Sequence, residues 1–170
     1  MESRIKIAGH PLHPILIVFP LGLLTAAVAF DITALVSSDN AWFHISFWII
    51  AAGTLGGLIA ALPGLVDWLA IPNNTRAKTI GLWHGGGNVV VVILFAISWF
   101  IRRDRAEVPS MGALVLSFAA ILLALVTGWL GGELVDRLGV GIDNGAHLNA
   151  PSSLSGRPAG ENEHQKPRAA

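Results

Sequence analysis

Whatever chemistry this chain does falls to its six histidines and a few carboxylates, because it contains neither cysteine nor tyrosine. The stretch His10-Pro11-Leu12-His13-Pro14 puts two imidazoles on a stiffened approach to an apolar run. Pro14 suits a first helical turn, while Pro11 keeps His10 outside that helix. Further along, His84 and Asn88 stand four apart on one helical face, and Gly85-Gly86-Gly87 between them remove three side chains. Each such glycine costs about 1 kcal/mol relative to alanine in a soluble helix, so either another helix or a flat ligand should come close there. Asp67 and Glu133 close two other apolar runs on the same side as these histidines. Imidazoles from opposing helices, glycine-lined space and carboxylates able to hold a second ring nitrogen are what a b-type haem or a metal ion requires. His10, His13, His84, Asn88, Asp67 and Glu133 are therefore the candidate cofactor-binding residues. His10, His13 and His84 are the candidate metal ligands, with haem b leading and zinc or iron as alternatives. Plainer readings compete: helix capping for the His-Pro pairs, helix packing for the glycines, and a loop ion pair between Asp67 and Arg76 or Lys78. No residue is assigned a catalytic role, since no Ser-His-Asp set or dinucleotide fingerprint exists and the glycine run lacks the strand and lysine of a phosphate loop.

The elements that must carry these residues follow from composition. Of 170 residues, 53% are hydrophobic and 13% charged, with a mean hydropathy of +0.62; a soluble domain has about 25% charged residues. Zero net charge leaves no basic face for nucleic acid. The absence of cysteine excludes disulfides, iron-sulfur clusters and thiolate metal sites. Four apolar runs exceed the roughly 18 residues needed to cross hydrocarbon: Pro14 to Val36, Trp42 to Leu69, Ile80 to Ile101 and Met111 to Val135. The first has two cations before it but no clean cleavage site, so it reads as a retained membrane helix. Short polar breaks at Ser37 to Asn40, Pro72 to Arg76 and Arg102 to Ser110 make neighbours antiparallel. The expected fold is all-α, an integral-membrane four-helix antiparallel bundle over residues 1–140. Residues 141–170 are too polar to bury a core and are expected to be disordered.

Four crossings put both termini on one side. That side carries Arg4, Lys6, Arg76, Lys78 and Arg137, against Arg102, Arg103 and Arg105 opposite, a five-to-three bias toward cytoplasmic termini under the positive-inside rule. Trp42, Trp48 and Trp99 near one surface and Trp68, Trp83 and Trp129 near the other suggest interfacial belts. Gly53, Gly57, Ala60 and Gly64, the pair Gly128 and Gly132, and the pair Gly22 and Ala26 read as packing faces. Leu12-His13 and Leu82-Trp83-His84, with Pro63-Gly64-Leu65 and Thr127-Gly128-Trp129, hint at two repeated hairpins. On the side away from the termini only Asp31 and His44 stand out; Asp31 lies about 27 Å along a straight helix from His13 and cannot share its site.

At GHPLHPILIVFPLGLL the chain resembles the bacterial membrane family called domain of unknown function 2231. The likeness continues through GLVDWLAIPNNTRAKTIGLWHGGGN and GWLGGELV and covers about residues 7 to 140. The resemblance implies a four-span inner-membrane protein with matching positions at His10, His13, Asp67, Arg76, His84, Asn88 and Glu133. Some relatives look like anchors joined to Rieske or cytochrome-type domains, which implies redox work. Two departures stand out: many members have histidine where this chain has Val18, and many have Tyr and His where it has Asp136 and Leu138.

Together these readings point to a small bacterial inner-membrane protein with a His/carboxylate site serving electron transfer, partnered by the lipid bilayer and by a separate redox protein or a second copy of itself. The alternative is a structural or accessory subunit without cofactor. An ion or proton pathway is disfavoured, because the mid-membrane stretches lack ionisable relays.

Overall fold

In the computed structural model, which describes residues 1–161, four long helices follow a short N-terminal hairpin. Strands β1 (Lys6–Ile7) and β2 (His10–Pro11) pair antiparallel and lead directly into α1 (Leu12–Ser37). Helices α2 (Ala41–Ala70), α3 (Arg76–Arg102) and α4 (Met111–Gly132) follow, and α4 runs on into a π-helical turn, Glu133–Arg137. Each span begins or ends within a few residues of the expected apolar run, because in lipid a helix alone satisfies all of its own backbone groups. The polar breaks supply the caps. Thr75 accepts from the Lys78 amide and Ser110 from the Ala113 amide, each relieving an orphan N–H at a helix start.

All four helices are long and apolar enough to span a membrane. Apolar side chains such as Phe19, Leu62 and Leu125 lie exposed on their outer surfaces, the surface that a lipid bilayer covers. The protein's own core is narrow: Leu24, Ala27 and Val28 of α1 meet Ile50 of α2, Val91 and Phe95 of α3 and Ala120 of α4. Pro20 lies inside α1 yet is buried, with Gly56 of α2 opposite, where an added Cβ would stand 3.4 Å from the proline ring. A neighbouring helix packed against the interruption is what lets a span carry proline.

The tryptophans divide. Trp48, Trp83 and Trp129 lie outward, as a belt requires, whereas Trp42 stacks on Phe30 and Trp99 on Phe47. Trp68 donates to the Lys78 carbonyl, and the Lys78 ammonium stands 4.2 Å from its ring centre.

Residues 141–161 make hydrogen bonds to the N-terminal segment. The Met1 amino group donates to the Gly139 carbonyl, and the Gly141 amide donates back to Met1. Lys6 bridges Glu2 and Asp143, and the Asn144 amide donates to Glu2. That amide, then Lys6, holds the Glu2 carboxyl below its usual range, and Asp143 raises Lys6. Ser153 reaches the Ala8 carbonyl. Composition carries no information on hydrogen bonds to a segment some 140 residues away. The disorder expected of 162–170 falls outside the described residues.

Candidate functional site

His13 and His84 occupy equivalent places. His13 stands in the first turn of α1, and its Nδ1 lies 2.8 Å from the Ala60 carbonyl of α2. His84 stands near the start of α3, and its Nδ1 lies 2.8 Å from the Thr127 carbonyl of α4. A carbonyl only accepts, so Nδ1 carries the hydrogen in both rings and the neutral form keeps its lone pair on Nε2. Each ring rests on a glycine one turn beyond its acceptor. A Cβ on Gly64 would stand 2.8 Å from the His13 ring, and one on Gly131 would stand 2.9 Å from the His84 ring. The two imidazoles face each other across the bundle with ring centres 6.3 Å apart and planes at 89°.

Asn88 braces His84. Its amide donates to the His84 carbonyl at 2.9 Å and lies 3.4 Å from Nε2, while its oxygen accepts from the Thr127 hydroxyl at 2.9 Å. The remaining candidates lie apart from the pair. His10 is exposed on β2 with Nδ1 against the Ala8 carbonyl. Asp67 binds the Ser3 hydroxyl and the Arg4 amide rather than a loop cation, and Glu133 pairs with Arg76 at 2.6 Å. Neither carboxylate touches an imidazole, so two backbone carbonyls orient the rings. Among the described residues no group of three or more His, Asp or Glu is placed to hold a metal ion.

The glycines also sort by contact. A Cβ on Gly87 would stand 2.5 Å from the Thr127 methyl, so α4 itself takes that space, whereas Gly85 and Gly86 meet nothing. Gly53 receives Leu24 and Gly57 receives Val92, but Gly22, Gly128 and Gly132 face no neighbour and are not packing surfaces.

At the opposite end the sequence marks Asp31 but not its partner. Asp31 and Arg102 are fully buried and form a bidentate pair at 2.8 and 2.7 Å. Ser46 of α2, Ser98 of α3 and Ser117 of α4 add hydroxyls around the guanidinium. Counted with the loop, Arg102 passed as one cation of a basic run. The signal available was spacing: Asp31 follows His13 by 18 residues, and Arg102 follows His84 by 18. Buried positions repeat in the same register, Leu24 with Phe95 and Ala27 with Ser98 along α1 and α3, and Ile50 with Ser117 and Ala60 with Thr127 along α2 and α4. The two hairpins are thus related by a pseudo-twofold axis, in which Gly64 matches Gly131 rather than Gly128.

Fold and site together define a four-span membrane protein with paired imidazoles at one end of its bundle and a buried ion pair at the other. The chain belongs to the family described as predicted membrane protein (DUF2231), whose profile matches residues 9–144. No curated protein and no solved structure matches it.

Proposed function

We propose that His13 and His84 share one metal centre, haem b or a single ion, and that the protein passes electrons in the bacterial inner membrane to a separate redox protein or a second copy of itself. The observation that carries this reading is the symmetric pair of imidazoles. Each has Nδ1 committed to a carbonyl, the arrangement by which metal-binding histidines are commonly oriented with Nε2 toward the ion. Were the two rings to hold one ion, His13 and His84 would be its nitrogen donors; their ring centres stand 6.3 Å apart, a span that two metal–nitrogen bonds of about 2 Å would bridge. On the α2–α3 side the hairpins touch, Gly57 against Val92 and Gly81 against Trp68. A flat macrocycle therefore has no room there and would have to enter elsewhere between the hairpins. Haem would supply a one-electron couple, and His13 and His84 would be the residues that hold it.

Protein made with ample haem and purified in detergent should show a Soret band that shifts on reduction, with iron at about one per chain for one such site. His84→Ala should abolish the band, and His44→Ala, at the other end of the bundle, should leave it intact. Colourless protein without stoichiometric metal would sink the proposal. The accessory-subunit reading would then take over. One observation favours it already: the clearance at Gly64, Gly87 and Gly131 is filled by the chain's own side chains.

We further propose cytoplasmic termini, because Arg4, Lys6, Arg76, Lys78 and Arg137 lie on the terminal side, against Arg103 and Arg105 opposite once the buried Arg102 is set aside. Single cysteines at Asn73 and Ser152 should label from the cytoplasm, and at Ser38 and Asp104 from outside. The reverse pattern would overturn the orientation.

A further inference from the structure

We propose that Asp31 and Arg102 are a pairing code, the feature that makes hairpin α1–α2 dock on hairpin α3–α4 rather than on another copy of itself. The hairpins repeat buried positions in the same register, and part of the surface between them does not tell them apart. His13 and His84 are identical, and the matched core positions Leu24 and Phe95, and Val28 and Trp99, are apolar on both hairpins. In a membrane, apolar faces gain little discrimination from burial, because lipid is as apolar as they are. The 31/102 position is different. Both members are fully buried at one depth on the axis, and they carry opposite charges.

Docking of two first hairpins across the same axis would set carboxylate against carboxylate, with only the Ser46 hydroxyls nearby. Docking of two second hairpins would set guanidinium against guanidinium, among Ser98 and Ser117 hydroxyls that supply no negative charge. Like charges brought together out of water repel strongly. Only the unlike pairing satisfies the fork geometry of Arg102 with two carboxylate oxygens. A buried polar group that selects partner and register at some cost in stability is an established use of such groups. Here it would act between halves of one chain.

The test uses full-length protein in mild detergent, read by yield of folded protein and by oligomeric mass. Asp31→Arg and Arg102→Asp alone should each lose folded protein about tenfold or more, the effect of an unpaired buried charge. The double reversal, D31R/R102D, restores opposite charges and should return yield to within about threefold of the native chain, as one species of native mass. The apolar double replacement, D31L/R102M, removes charge without leaving any unpaired. It should fold but spread over several oligomeric masses, as like hairpins of different chains also dock. The proposal is overturned if the double reversal is no better than the single ones. It is equally overturned if the apolar double gives the native single species, or gives no folded protein at all.

Discussion

Arg102→Leu is expected to leave little folded protein. The leucine fits the apolar membrane interior better than arginine does, so the loss would come from what remains behind. Asp31, fully buried on α1, takes two hydrogen bonds from Arg102 and would lose both together with its countercharge. Breaking one partner of a buried pair costs about 3–5 kcal/mol, against a typical domain stability of about 5–15 kcal/mol. Arg102→Lys should recover only part of this, because an ammonium cannot reproduce two parallel bonds to one carboxylate and also reach Ser98 and Ser117. Arg76→Ala is the contrast: its bond to Glu133 is as short, but Arg76 is 59% exposed, and such pairs contribute about 0–1 kcal/mol. Thermal unfolding in detergent decides between these. If Arg102→Leu melts within a few degrees of the native protein, the pair is not the buried junction described above.

Gly131→Ala and Gly64→Ala should also be damaging, and each should act through a histidine. The added Cβ would stand 2.9 or 2.8 Å from an imidazole, closer than unbonded carbons tolerate, and a ring held by a short bond to a carbonyl cannot simply swing away. Overpacking costs about 1–3 kcal/mol, and loss of the Nδ1–H bond adds about 0.5–1.5 kcal/mol. Gly22→Ala and Gly128→Ala, where a Cβ meets nothing, should be neutral or stabilising, since alanine is the better helix former. The Nδ1–H proton resonances of His13 and His84 provide a second readout, which should move in the first two variants and stay fixed in the controls. Equal melting temperatures for all four would show that the glycines do not seat the rings.

Some of the site was readable before any coordinates. His13, His84 and Asn88 were singled out by the His-Pro pair and by an i, i+4 face beside glycines, and the structure brings these three together. His10, Asp67 and Glu133 share their depth but not their site. Depth along a helix follows from residue count, whereas azimuth around it does not, and the carboxylates face the N-terminal segment and Arg76 instead of the rings. The packing role given to glycines holds at Gly53, Gly57 and Gly64 and not at Gly22, Gly128 and Gly132, for the same reason. Small residues permit close approach wherever they occur, but only the neighbouring helix decides which of them are approached.

The number and limits of the spans, the breaks between them and the family are legible in the sequence. These follow from local chemistry: a run of apolar residues long enough for hydrocarbon, a proline in the first turn. The tertiary structure alone decided that His13 meets His84, that Asp31 meets Arg102, and that the N-terminal segment clasps residues 139–144. These helices are apolar on every side, because lipid covers most of each one. Hydropathy therefore marks no inward face, and the pairing of groups 71 residues apart emerges only when two hairpins dock about a common axis.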